Sequence, residues 1–327
     1  MKRHKICKII LAILAFFLCV AFYELIGICV TYKKQPAVSD ATIKETQNIM
    51  SVAGRENTER AVIIEKNSQA LLERVRLIQN AKDEIILSTF AFKSDESGKL
   101  ILGALHDAAD RGVHVRILVD GMESWIDMEG NPYFYGLSSH ENVEIKLYNK
   151  ANPLKPWKTM GRMHDKYLIA DGKIYILGGR NTYNYFLGDF PGHKNFDRDV
   201  LVVCDEPQKD NSVNQLWNYF ETIWKQEDCR YFHNSKKLAD RQSVKKAVLE
   251  LQEGYQQYFE VNKEKICDTD YADETFETEK IILLSNPIHT QAKEPVVWYQ
   301  LGELMKNAKE RVKIHTPYIT VSYTHLR

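Results

Sequence analysis

Residues 162–181 read RMHDKYLIADGKIYILGGRN, and His164, Lys166 and Asp171 stand there in the spacing His-x-Lys-x4-Asp. On an extended chain, residues i and i+2 leave the same face, so His164 and Lys166 are expected to point together from one strand. An imidazole beside an ammonium suits a phosphodiester. The lysine neutralises non-bridging oxygens while the histidine attacks phosphorus. The following strand, KIYILG, ends in Gly178 and leads through Gly179 to Asn181, where backbone and amide donors can reach the same phosphate. Lys166, Gly179 and Asn181 are therefore the candidate phosphate ligands. Asp171, beside Gly172, is better suited to shaping the hairpin between the two strands than to touching substrate. The bland alternative leaves His164 and Lys166 as solvent-facing groups at a sheet edge, and the glycine–asparagine turn argues against it.

The flanking sequence has to position these groups. Residues 69–83 carry apolar side chains at helical spacing, and IILSTFAF follows as a buried strand. GKLILGALHDAADRG is an amphipathic helix closed by Gly112, and VHVRILVD is the next strand. Further strands are expected at 143–148, 166–170, 173–178 and 199–204, with a helix at 211–226. Helices alternating with apolar strands predict an α/β sheet covered on both faces. Residues 229–279, charged and partly helical, are expected to be a connector.

The 44 basic and 44 acidic side chains cancel, which disfavours a dedicated nucleic-acid binder. The six cysteines form no cluster of zinc spacing. A Cys229–Cys267 disulfide and isolated thiols both remain open. Ile9 to Tyr32 is an apolar run with one charge, Glu24, and its length suits a membrane span. Residues 1–34 are thus expected to be a single-pass anchor and 35–65 a juxtamembrane linker. Lys2, Arg3, Lys5 and Lys8 precede the span while Lys33 and Lys34 follow. That bias places the N-terminus in the cytoplasm and the domain outside the cell membrane.

With STFAF, RGVHVRILVDG and FDRDVLVV around it, the 162–181 segment resembles the signature of the phospholipase D superfamily. The closest flavour is the bacterial cardiolipin synthase-like branch, and the resemblance covers residues 66–320. It implies an α/β fold, a phospholipase D-like sandwich of mixed sheet flanked by helices, with its first domain at 66–228. It also implies ping-pong chemistry without metal or cofactor. One histidine forms a phosphohistidine, a second protonates the departing alcohol, and water or another alcohol then takes the phosphoryl group. The family's carboxylate behind the nucleophile matches Asp199, although an Arg198–Asp199 surface pair is the competing reading. The implied substrates are membrane phospholipids of the phosphatidylglycerol type. A nuclease of the same chemistry is the alternative, and a phosphate-binding module without activity is a third.

The sequence departs from the family in having one such motif. LIQNAKDEIILSTFAF at 77–92 aligns without gaps on LMKNAKERVKIHTPYI at 304–319. A second domain is therefore expected to begin at 280–327 and to be truncated, with its histidine lying beyond the sequence. Two motifs would then meet within a longer chain or between two copies. His315 could line the cleft or simply pack in a strand. KPWK at 155–158 could meet lipid headgroups or be an ordinary loop.

Overall fold

Short runs of aliphatic and β-branched residues, separated by amphipathic helices, build a nine-stranded mixed sheet in the computed structural model. It describes residues 2–51, 59–207, 209–233 and 235–314. In chain order the elements begin α1 (Lys2–Tyr32), α2 (Asp40–Ser51), β1 (Glu59–Ile64), α3 (Asn67–Asn80), β2 (Glu84–Thr89), α4 (Glu96–Asp110) and β3 (His114–Asp120). There follow α5 (Gly121–Asp127), α6 (Pro132–Ser138), β4 (Val143–Tyr148), β5 (Tyr167–Ala170), β6 (Ile174–Gly178), β7 (Asp199–Cys204) and α7 (Ser212–Trp224). The remainder comprises β8 (Cys229–Tyr231), α8 (Lys236–Ala239), α9 (Gln242–Cys267), β9 (Phe276–Glu277) and α10 (Val296–Lys306).

The strand order is β8-β4-β3-β2-β5-β6-β7-β1-β9. β2, β3 and β4 run parallel, and β5, β6, β7 and β1 are each antiparallel to the preceding strand in that order. Period-two alternation divides the side chains between two cores. Ile85 and Leu87 face the layer of α3, α4, α6 and α9, while Ile86 faces α7. α7 buries Val213, Leu216, Phe220 and Ile223 at helical spacing. Each such side chain contributes about 1.5–3 kcal/mol of transfer free energy. The expected sandwich of helices about a mixed sheet is what the chain forms.

Three expectations are corrected. Residues 59–64, expected in the linker, form β1, paired with β7 from Glu59↔Cys204 to Ile64↔Asp199. The expected connector contributes β8 and, through α9, part of the core: Val244, Ala247, Leu251 and Tyr255 are buried. α4 meets α9 closely at Gly103, where a Cβ would lie 2.6 Å from the Leu251 carbonyl oxygen. Polar spacing disguised α9 because only one narrow stripe of it is apolar. Finally, β5 begins at Tyr167, so His164 and Lys166 precede the strand.

Cys229 is a buried free thiol and Cys267 an exposed one, so the pair is not bridged. Lys5–Tyr32 is long and apolar enough to cross a membrane. The chain divides into two units, and the second comprises residues 35–53, 284–287 and 293–327. Within it the Glu294 carboxylate accepts hydrogen bonds from the Ser39 backbone N–H at 2.8 Å and the Thr42 hydroxyl at 2.6 Å. Of the strand expected after α10, residues 307–314 adopt neither helix nor strand, and His315 with the rest lies outside the described residues.

Candidate active site

Strand direction alone collects the chemistry at one edge of the sheet. β2, β3 and β4 leave at that edge, so Phe90, Asp120 and Asn149 emerge there. β5 enters there, since Ser88 pairs with Tyr167, and this places His164–Lys166 beside Phe90. β6 leaves there through Gly178–Asn181, and β7 enters through Asp197–Asp199, Gly178 pairing with Asp199. The carboxyl ends of parallel strands are where open α/β sheets place ligands.

His164 is exposed and stacks edge-on against Phe90, with ring centroids 4.6 Å apart. Lys166 is buried, and its Nζ lies 5.4 Å from the same ring's centroid. The two side chains thus converge on one aromatic platform although neither lies in a regular strand. The Lys166 ammonium donates to the His164 carbonyl oxygen at 2.7 Å, leaving further protons to offer.

Partial removal of the His164 ring from water lowers its pKa below the usual 6.5. The Lys166 and Arg162 cations push the same way, and Asp120 opposes them. Burial also pulls Lys166 down to about 8, against the pull of Asp165 and Asp197. Near pH 7 the imidazole is therefore neutral and the ammonium mostly charged, the pair of states a nucleophile and an anion clamp require.

Asp120 is fully buried at the end of β3 and does more than close a turn. Its carboxylate caps α5 through the Met122 and Glu123 N–H groups, at 3.0 and 3.3 Å. It also accepts from the Met163 N–H at 3.1 Å and from Arg162 Nε at 2.9 Å. Arg162 Nη2 is paired to it as well. One carboxylate thus fixes the two residues preceding His164. The signal was available in LVDG and GRMHD, but nothing in the sequence joined them.

Three expected site residues sit elsewhere in the network. Asp171, at φ 51°, accepts the backbone N–H groups of Lys82, Asp83 and Glu84 at the opposite end of β5. It anchors the entry to β2 and stands away from His164. Asp199 forms neither the expected contact with His164 nor a pair with Arg198. Its Oδ2 lies 3.0 Å from Arg74 and 3.3 Å from Arg180, all three buried. Arg198 pairs instead with Glu65 at 2.9 Å. Asn181 spends its carboxamide oxygen on the Ala91 N–H at 3.2 Å, securing the segment that carries Phe90.

Gly179 abuts Asp197, whose Oδ1 would lie 2.5 Å from a Cβ there. Asp197 is thereby a carboxylate at the site that the sequence did not single out. Arg74 was also missed. A charged residue on the apolar face of α3, between Leu71 and Ile78, was the signal for a buried counterion. His193 and Lys194 occupy a loop, as expected.

An exposed imidazole and a buried ammonium share an aromatic platform at the edge of a mixed α/β sheet, an arrangement whose chemistry suits a phosphodiester, and the domain is similar to those of the phospholipase D superfamily. Residues 75–224 match the family described as "Cardiolipin synthase, PLD-like domain", so the domain is of the cardiolipin synthase-like kind. An uncharacterized protein of Helicobacter pylori is 33% identical over 181 residues, 51% of this chain and 35% of its own. Cardiolipin synthase C of Escherichia coli K12 is 29% identical over 154 residues, 43% of this chain and 31% of its own. Cardiolipin synthase 1 of Staphylococcus aureus is 35% identical over 112 residues, 34% of this chain and 22% of its own. The chain spans about a third or less of the length of these relatives.

Proposed function

We propose that His164 is the nucleophile of a phospholipase D-type transfer on membrane phospholipids, closest in kind to cardiolipin synthesis. The observation that carries it is the convergence of His164 and Lys166 on Phe90. In the first step a neutral His164 nitrogen bonds to phosphorus and the bond to the leaving alcohol breaks, giving a phosphohistidine. The departing oxygen takes a proton from a general acid. Water or a second alcohol then attacks phosphorus and frees the histidine. Lys166 neutralises the non-bridging oxygens and the Asn181 amide nitrogen adds a phosphate contact, whereas the Gly179 N–H, expected to join them, donates to the Arg198 carbonyl at 3.4 Å. Asp120 and Phe90 orient the nucleophile, the role expected beforehand of Asp199.

The general acid is assigned to a second histidine, brought in by another domain of the full-length protein or by a second copy. General acid help is worth about 10²–10⁴-fold, so this unit alone should turn over slowly. α1 anchors the site beside its substrate, with the basic N-terminus cytoplasmic and the domain outside.

The test uses full-length gene product in mixed micelles with phosphatidylglycerol radiolabelled at phosphorus, quenched in alkaline detergent because phosphohistidine is acid-labile. Label should remain on the wild type and be lost from His164→Asn. Equal labelling of both, or none on the wild type, refutes the assignment. Label trapped from DNA but not from lipid would favour the nuclease.

A further inference from the structure

An apolar rim surrounds the candidate site and is not explained by packing. Trp125 and Ile126 on α5, and Leu154, Trp157 and Met160 in the segment between β4 and β5, are all exposed, Leu154 to 77%. Both segments belong to the edge where His164 sits. α5 follows β3 directly and shares Asp120 with Arg162. The segment after β4 is tied to its own start by Asn149, whose amide donates to the Lys158 and Gly161 carbonyls at 2.7 and 2.8 Å. The two begin against each other: a Cβ on Gly121 would lie 2.6 Å from the Lys150 backbone nitrogen. A cluster of bulky apolar side chains facing water is costly, and such patches mark contact surfaces.

The same segment is where the apolar helix α1 touches the domain. Tyr23 donates its hydroxyl to the Leu154 carbonyl at 3.0 Å. Gly27 faces Pro156 so closely that a Cβ would come within 2.5 Å of the proline ring. Counted from Ile9, where the apolar run begins, the roughly 20 residues needed to cross the hydrocarbon core end close to Ile28. Gly27 therefore lies at the outer boundary of the span and Tyr23 about one turn inside it, near the level where tyrosine and tryptophan are favoured. Lys150 and Lys155, both exposed, add positive charge at that level.

We propose that this rim is a membrane-docking surface. Trp125, Ile126, Leu154, Trp157 and Met160 enter the headgroup–acyl boundary of an anionic bilayer, holding the mouth of the His164 site against the leaflet from which α1 emerges. The proposal rests on reading α1 as a membrane span. Continuity with that span selects a bilayer as the occupant, since any span places lipid against this segment. The lysines match the negative surface of such a leaflet.

The experiment reconstitutes the whole chain into phosphatidylglycerol vesicles whose acyl chains are brominated near the headgroup, and reads tryptophan quenching. Bromine-dependent quenching should be strong in the wild type. It should fall at least twofold in the Trp125→Phe, Trp157→Phe double variant and be unchanged in Trp217→Phe, whose indole is half-buried and donates to Glu84 at the opposite edge of the sheet. Quenching that survives in the double variant, or is absent from the wild type, overturns the proposal. Quenching that vanishes as the protein-to-lipid ratio rises would assign the surface to a second copy and overturn it likewise. Alkaline carbonate extraction separates the two readings. A chain that is released never spanned the bilayer, whereas a chain that is retained but unquenched refutes docking alone.

Discussion

Replacing Asp199 by asparagine should destabilise the fold severely, although shape and volume scarcely change. The Asp199 side chain is 0% exposed, and its partners Arg74 and Arg180 are 5% and 0% exposed. Arg180 also donates to the Ile64 and Glu65 carbonyls at 3.1 and 2.6 Å, and Arg74 to Ala70 at 2.9 Å. Both guanidiniums would stay held in place, but with no counterion between them. Removing one partner of a buried ion pair costs about 3–5 kcal/mol, a large share of the ~5–15 kcal/mol of a typical domain. The neighbouring Arg198 supplies the control. Its pair with Glu65 is just as short, 2.9 Å, but the two side chains are 51% and 61% exposed. Such surface pairs contribute about 0–1 kcal/mol, so Arg198→Ala should be almost silent. Urea unfolding of the whole chain in non-ionic detergent, followed by far-ultraviolet circular dichroism, reads both midpoints. An Asp199→Asn variant within about 1 kcal/mol of wild type would refute this reasoning. If its stability were intact and only histidine labelling lost, the residue would belong to catalysis after all.

The adjacent glycines should differ. A Cβ on Gly178 would meet the Arg198 carbonyl oxygen at 2.5 Å and the Asp199 Cα at 2.6 Å, both backbone. Gly178→Ala should therefore cost about 1–3 kcal/mol in the same urea assay. For Gly179→Ala the nearest atoms belong to the side-chain carboxylate of Asp197, which can turn aside more readily than backbone, so the cost should be clearly less. Asp171→Ala should lower stability by about 1–3 kcal/mol, from lost charge-assisted hydrogen bonds, yet leave inorganic phosphate affinity unchanged by equilibrium dialysis. With Lys166 at about 8, that affinity should weaken as pH rises through 8. Stability should move the other way, because the unfolded chain holds this proton more tightly. Its cost at neutral pH disappears as pH climbs from the folded value toward the free-lysine 10.5. Lys166→Met should accordingly unfold later at pH 7 while losing phosphate. A phosphate affinity flat from pH 7 to 9.5 would rule out Lys166 as the clamp.

What the sequence disclosed followed from periodicity and from local motifs. β4 and β7 fall where expected for different reasons: VEIKLY alternates apolar with charged residues, the signature of a half-buried strand, whereas DVLVVC is a nearly continuous apolar run buried on both faces. β1 was hidden because ERAVII follows a long polar stretch and its register is set by β7, more than a hundred residues away. The pairing of His164 with Lys166 was legible from their spacing. The platform under them was not, since Phe90 looked like any strand aromatic until β2 and β5 were set side by side. Asp199 was misplaced for the same kind of reason. A carboxylate at the right position in the chain does not disclose which of two buried arginines and one histidine it will meet.

The arrangement divides two demands that conflict in a single strand. A nucleophile must be reachable, and a phosphate clamp gains strength from being out of water. Lys166 is still tied to β6, its carbonyl accepting the Gly178 N–H at 3.1 Å, but β5 begins only at Tyr167, so His164 two residues earlier can stay exposed while Lys166 is buried. Such freedom would be useless if the segment wandered. Asp120 removes it by holding Arg162 and the Met163 backbone from one side, and Phe90 does so from the other. The costly carboxylate in the core thus serves the approach to the histidine, and Asp199 holds the sheet beneath. A bilayer pressed against Trp125 and Trp157 would add the remaining condition. It would deliver a diester to an imidazole that is already neutral and already aimed.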